Sequence, residues 1–347
     1  MKVLALAHQY SPVRNAGAET MLHGMLRALV RRGHDVHASL SMQVGDPYEH
    51  DGVKVWPRRE GHKTDHFSHL PADLLVGHLD NAEVAAFLGH LNEIPVVLLN
   101  HNTFEISKKV MHFYGARVDL AVVNSQWMAE DFAAWHRAHD LPQPRTIIVR
   151  PLVEAADYAA EPGDRVTQVN LKQYAKDALS GNLGLSKGGE TFWAIAKRMP
   201  GTKFLGVTGA YGVQAGGDLP NVEILGHVPA PRMRDEVYAH TRVLLVPSSY
   251  ESWGRVASEA IACGIPVIAA DTPGLRENLG DAGTFVDWQD VDGWVKALRT
   301  LQLPGPYAAA RKRALARGAE HQQMRAEDEA RWCDTAEQLG SRRGVLV

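Results

Sequence analysis

The sequence predicts an α/β protein of two doubly wound, Rossmann-like domains. Three observations lead there. The chain has 347 residues, and at about 150 residues per domain that length suggests two. Short apolar runs alternate with segments of helical period, as parallel sheets with right-handed crossovers require. The alternation pauses near Arg150, Pro151 and Leu152, where an Ala/Pro/Gly stretch precedes a second series.

In the first half, Lys2–Ala7 reads as a strand buried on both faces. Met21, Leu22, Met25, Leu26, Leu29 and Val30 then fall on one helix face, with Gly33 as the stop. Strands are predicted at 36–40, 74–77, 96–99 and 120–123, and a helix at 126–135 capped by Ser125. The second half predicts strands at 165–171, 203–207, 222–225, 243–246 and 266–270, and a charged helical tail over 308–338. The expected domains are 1–152 and 153–322, with 323–347 as a closing helix. Parallel sheets bind ligands beyond the carboxyl ends of their strands, so two such domains are expected to face each other across a cleft.

Composition excludes several classes. Apolar residues are 45% and charged residues 22%, ordinary for a folded chain. Lys+Arg 37 against Asp+Glu 40 gives a net charge of −3, so no basic balance announces nucleic acid or an anionic membrane. Cys263 and Cys333 cannot make a disulfide framework. The N-terminal apolar run is too short for a secretion signal, and no stretch approaches the roughly 18 apolar residues of a membrane span. A cytoplasmic enzyme is expected.

The most informative segment reads P-S-S-Y-E-S-W-G-R-V-A-S-E-A-I-A-C-G-I-P-V-I-A from Pro247. A strand ends at Pro247, a polar loop carries Glu251, and a helix starting near Arg255 carries Glu259. The amides that open a helix have no intrahelical partner and favour phosphate. Glu251, out in the loop, is suited to sugar hydroxyls or a positively charged sugar.

Two glutamates separated by seven residues in this setting resemble the signature of the retaining glycosyltransferases of family four, which have the two-domain GT-B fold. The resemblance covers about residues 1–300 and is strongest in the second half. It implies that Glu251 binds the donor sugar and Glu259 the nucleotide ribose. It also implies that backbone near Ser252, Trp253, Gly254, Arg255 and Val256 holds a diphosphate. Lys187, before Gly188-Gly189, matches a lysine that neutralises the leaving diphosphate. His101, in Asn-His-Asn-Thr after a strand, matches a histidine that touches the donor sugar. Ala16-Gly17, with Arg32-Gly33-His34 further on, stands where the family has a double glycine whose backbone approaches donor or acceptor; Gly17 keeps one of the two glycines, and Ala16 replaces the other.

One departure stands out. The family places an arginine five residues before the lysine, and here Asn182 holds that spacing, or Asn170 if 172–180 is an insertion. Lys172, Lys176 or Arg255 would have to replace its charge.

Other signals are assigned structural roles. Fourteen of the 17 histidines lie within residues 1–150. His62, His66 and His69 read as a polar loop. Asp290 and Asp292 read as a helix start, with Asp292 as N-cap, and the stretch containing Arg311, Lys312, Arg313 and Arg317 as a solvated face. Lys108 and Lys109, with Phe104, Phe113 and Tyr114, border either an acceptor site or a packed helix. The expectation is a metal-independent transferase that uses a nucleoside diphosphate sugar as co-substrate, needs no cofactor and acts on an unidentified hydroxyl. A glycan, lipid, small molecule or modified nucleic acid stays open as acceptor, as does peripheral membrane contact. Alternatives are a nucleotide-sugar epimerase or hydrolase, or a catalytically silent nucleotide-sugar binding protein.

Overall fold

The computed structural model describes residues 1–13, 16–61, 69, 71–109, 111–112, 118–173 and 187–341. Two compact units emerge, Met1–Leu152 with Arg325–Val347, and Val153–Met324. His62, His66, Phe113, Tyr114, Lys176 and Asn182 lie outside the described residues.

The first unit contains β1 (Lys2–Ala7), α1 (Gly17–Arg31), β2 (Asp35–Val44), β3 (Tyr48–His50), β4 (Val53–Arg58), β5 (Leu74–His78), α2 (Ala82–Asn92), β6 (Val96–Leu99), α3 (Glu105–Lys109), β7 (Leu120–Val123), α4 (Gln126–Ala138) and β8 (Arg145–Ile148). The strands form one sheet in the order β3-β4-β2-β1-β5-β6-β7-β8. All pairings are parallel except β3 with β4. Val3 to Ala7 and Val96 to Leu99 are buried throughout, as strands covered by helices on both faces must be. Met21, Leu22, Met25, Leu26 and Leu29 form the buried stripe of α1.

The second unit contains α5 (Ala155–Tyr158), β9 (Arg165–Val169), α6 (Gly189–Arg198), β10 (Phe204–Val207), β11 (Val222–Leu225), α7 (Met233–Glu236), β12 (Thr241–Val246), α8 (Arg255–Ala262), β13 (Val267–Ala270), α9 (Pro273–Leu279), β14 (Gly283–Val286), α10 (Val291–Gln302) and α11 (Pro304–Gly340). Its parallel sheet runs β11-β10-β9-β12-β13-β14. Helix α11 is divided between the units at Met324 and Arg325. Its later part is fastened to the first unit by Trp332, whose Nε1 donates to the carbonyl of Met25 at 2.9 Å.

Several expectations are corrected. The strand expected at 36–40 runs to Val44, and the β3–β4 hairpin and edge strand β8 are additional. The hairpin turns on Asp51 and Gly52, both at positive φ (49° and 79°), the two-residue turn that Asp-Gly favours. Ser125 does cap α4, accepting from Met128 N at 3.1 Å. The N-cap of α10 is Asp290, which accepts from Gly293 N at 2.9 Å. Asp292 instead lies inside the first turn and pairs with Arg198 at 2.8 Å. Arg313 and Arg317 are not simply solvated: Arg313 donates to the Asp281 carbonyl, and Arg317 to the carbonyls of Glu277 and Asn278 at the end of α9. Lys108 is buried and paired with Asp131 of α4, so the packed-helix reading holds for it.

Candidate active site

In the second unit the loop after β12 and the turn before α6 meet. Lys187 Nζ donates to Glu251 Oε1 at 2.5 Å, and Ser248 Oγ donates to the same oxygen at 2.9 Å. Sequence separation between Lys187 and Glu251 is 64 residues, so the sheet, not local structure, brings them together.

Three features fix this meeting. Gly188 has φ +75°, and a Cβ there would stand 2.3 Å from the Pro247 carbonyl oxygen, so only glycine lets the turn lie against the end of β12. Gln168, buried in β9, donates to the Lys187 carbonyl at 2.8 Å. Gly274 in α9 approaches the Glu251 carbonyl oxygen so closely that a Cβ would come within 2.2 Å. The Lys187 side chain is 30% exposed and that of Glu251 13%. Both can therefore reach a ligand while remaining largely walled by protein.

Helix α8 opens beside Glu251. Gly254 is its N-cap at φ +84° and supplies no side-chain cap. The Gly254 carbonyl takes the Ala257 amide at 2.9 Å. The first amides of the helix, at Arg255 and Val256, are those a helix leaves without intrahelical acceptors, and the helix dipole adds partial positive charge. Trp253 contributes only backbone: its ring is buried and its Nε1 donates to Ser258 at 2.9 Å. Asn278 donates to the carbonyls of Trp253 and Gly254 at 2.8 and 3.0 Å and holds the loop. Ser252 sits half-buried between Glu251 and Trp253.

Glu259 lies deeper than Glu251. It is 4% exposed. Arg255 Nε donates to its Oε1 at 2.7 Å and Tyr238 OH to its Oε2 at 2.5 Å. Arg255 also donates to Tyr158 OH at 2.8 Å. Burial, with the charge of Glu259 next, pushes the Tyr158 phenol up to about 12, so it stays protonated at neutral pH. Glu259 thus belongs to a buried network joining α5, α8 and Tyr238, with both carboxylate oxygens already hydrogen-bonded within the protein. The same network occupies Arg255.

Asn170 occupies a tight turn at φ +71°, its Oδ1 accepting from Lys172 N at 3.1 Å. The Lys172 carbonyl accepts from Lys187 N at 3.1 Å, and its side-chain carbons run beside Gly212.

The first unit gathers its own polar group at the carboxyl ends of β5 and β6. His101 follows β6; His78 ends β5, in register with Leu99. Their rings lie 5.1 Å apart. Both nitrogens of His101, Nε2 of His78 and the side-chain amide of Asn100 are buried without a hydrogen-bond partner among the described residues. Burial lowers the His101 pKa to about 4. His78 is held well below the ordinary histidine range by burial, then by His101 and His8. Both rings are neutral at pH 7 and able to donate through one nitrogen and accept through the other. His78 also interacts with the Ala18 backbone, next to Gly17. A Cβ on Gly17 would meet nothing within 4 Å among the described residues. His78 and Asn100 are absent from the sequence reading, although a polar residue closing an apolar parallel strand was the available signal.

Residues 194–302 match the family Glycosyl transferases group 1. Glu251, Glu259 and the start of α8 fall within the match, and Lys187 falls before it. The chain is 30% identical over 219 residues to D-inositol 3-phosphate glycosyltransferase of Mycobacterium sp. (strain KMS), covering 58% of this chain and 48% of the relative. It thus spans about half the length of the curated relatives it matches. HepE of Anabaena, in complex with UDP-glucose, gives a TM-score of 0.73 at 16% identity, covering 97% of this chain and 100% of HepE. Sucrose-phosphate synthase of Thermosynechococcus elongatus gives 0.68 at 16% identity, covering 100% and 98%. These likenesses show the fold, which is GT-B, and the second unit carries a Glycosyl transferases group 1 domain.

Proposed function

We propose that this chain is a retaining, metal-independent glycosyltransferase that moves a sugar from a nucleoside diphosphate sugar to a hydroxyl acceptor. The carrying observation is the Lys187–Glu251 pair beside the uncapped start of α8. It sets a mobile cation, a row of helix amides and a carboxylate around one spot. A diphosphate takes the cation and the amides. The carboxylate, released from Lys187 as the phosphate arrives, faces the sugar and stabilises positive charge as it develops at the anomeric carbon.

In this reading the bond from the anomeric carbon to phosphate oxygen breaks as the acceptor oxygen bonds on the same face. The acceptor's proton passes to an oxygen of the departing diphosphate. Lys187 supplies the positive charge that a metal provides elsewhere. Asp290 and Asp292 are engaged in a helix cap and an ion pair, which supports a reaction without an Asp-x-Asp metal site. In the first unit, His101 and His78 offer neutral ring nitrogens to hydroxyl groups. No helix among the described residues is long and apolar enough to cross a membrane. HepE binds UDP-glucose and the mycobacterial relative is by name a D-inositol 3-phosphate glycosyltransferase, so UDP-sugars and phosphorylated polyols are the first pair to assay.

The test is NMR of the product formed from an α-linked donor. An α-linked product supports the proposal; a β-linked product, or nucleotide binding without transfer to any acceptor, contradicts it.

A further inference from the structure

We propose that His23, His50 and Asp51 form a binding site for one divalent transition cation of the zinc class, which staples α1 to the β3–β4 hairpin. The site lies in the first unit and shares no residue with the donor machinery proposed above.

The ligand atoms of these three side chains lie within 4.8 Å of one another. His23 Nε2 and Asp51 Oδ2 are 3.2 Å apart. A tetrahedral zinc with bonds of about 2.0–2.1 Å sets its ligand atoms about 3.3 Å apart, so this edge already has the right length. The His50 ring stacks on that of His23 at 4.2 Å and 14°. Imidazole lone pairs lie in the ring plane, so His50, half-buried at the strand end, must rotate out of this stack to aim a nitrogen at the same ion. Two imidazoles and one carboxylate, with no thiolate, suit zinc, nickel or cobalt better than calcium or magnesium, which prefer oxygen ligands.

The surroundings are those of a metal ligand set. Tyr10, fully buried, places its hydroxyl 2.9 Å from His23 Nδ1. A phenol oxygen can accept a hydrogen bond from Nδ1–H, which leaves the Nε2 lone pair for a metal that replaces the present Nε2–Asp51 hydrogen bond. The ligands stand on elements already held together. A Cβ on Gly52 would come within 2.5 Å of Val30 Cγ1, so the hairpin turn rests directly on α1. Asp51 is exposed and gives the ion a path from solvent. Arg27 Nε, 3.5 Å from Asp51 Oδ2, is the cation that now serves this carboxylate, and it is exposed enough to withdraw.

The experiment uses the full chain, freed of metal and carrying no histidine tag. Cobalt(II) is titrated while its visible d–d bands are followed, and zinc is then added. The expected result is one equivalent of cobalt with the intense bands of a four- or five-coordinate centre, displaced by zinc. Zinc should also raise the melting temperature. Both effects should vanish in His50→Ala and in Asp51→Asn, each first shown by circular dichroism to be folded. A spectrum equal to that of cobalt in buffer, or a full equivalent retained in both variants, overturns the proposal.

Discussion

Lys187 Nζ and Glu251 Oε1 stand 2.5 Å apart, across 64 residues of sequence, at the carboxyl end of the second unit's sheet. The lysine side chain is 30% exposed, so solvent screens the pair and its contribution to stability is small. Glu251→Gln and Lys187→Ala should each lower kcat by about 10²–10³-fold, the usual cost of removing one charge-stabilising group. Melting temperatures should move by less than about 4 °C. Steady-state kinetics and thermal unfolding check both halves of this prediction.

The glycines that seat this pair give a second test. Ala at position 188 meets the Pro247 carbonyl from a left-handed backbone, and Ala at 274 meets the Glu251 carbonyl. Each substitution should cost about 1–3 kcal/mol. Each should also depress kcat further than an equally destabilising change in the core, such as Ile268→Val. Equal activities at matched stability would show that these contacts do not aim the pair.

Glu259 separates a structural role from a ligand role. With Arg255 and Tyr238 on its two oxygens, Glu259→Ala leaves a buried guanidinium without its carboxylate. The expected loss is about 3–5 kcal/mol, read as a fall in the urea midpoint. Tyr238→Phe should cost about 1–3 kcal/mol by leaving one carboxylate oxygen less satisfied. If Glu259 served only a ribose, its removal would raise the donor KM and leave the midpoint in place.

Acid should weaken the first unit through His78 and His101. Above about pH 6.5 these imidazoles are neutral whether the chain is folded or not, and they contribute no pH dependence. Burial holds His101 at about 4 in the folded chain, with His78 further below its ordinary range. Between about pH 6.5 and 4 the unfolded chain therefore binds protons that the folded chain refuses. Stability rises with pH across that window and falls as acid is added. Urea midpoints at pH 7.5 and 5.0 check this, and replacing both histidines by Asn should reduce the difference. An unchanged difference would clear these two rings of the effect.

How much was readable beforehand follows from what each element depends on. Interior strands such as β1, β6, β7 and β13 are near-continuous apolar runs, and the start of α8 is marked by Gly254, so their positions follow from pattern. Glu251 and Lys187 were readable because each sits at a strand or helix boundary in a recognisable string. The hairpin of Tyr48 to Arg58 lacks a strong apolar alternation, and its Asp51-Gly52 turn was the unread signal. Edge strand β8 is short and partly exposed, so its pattern is faint. The bonding of Glu259 to Arg255 and Tyr238 could not be foreseen, because Tyr238 comes from a 3₁₀ turn 21 residues upstream. The pairing of His78 with His101 likewise arises from the alignment of β5 on β6, which no local pattern announces.

The central claim is that Lys187, Glu251 and the first amides of α8 receive an activated sugar. A crystal structure with an intact nucleoside diphosphate sugar tests it most directly. The account predicts phosphate oxygens on Lys187 Nζ and on the amides of Arg255 or Val256, with the Glu251 carboxylate turned from the lysine onto the sugar. A nucleotide bound elsewhere, with the Lys187–Glu251 contact still closed, would contradict it.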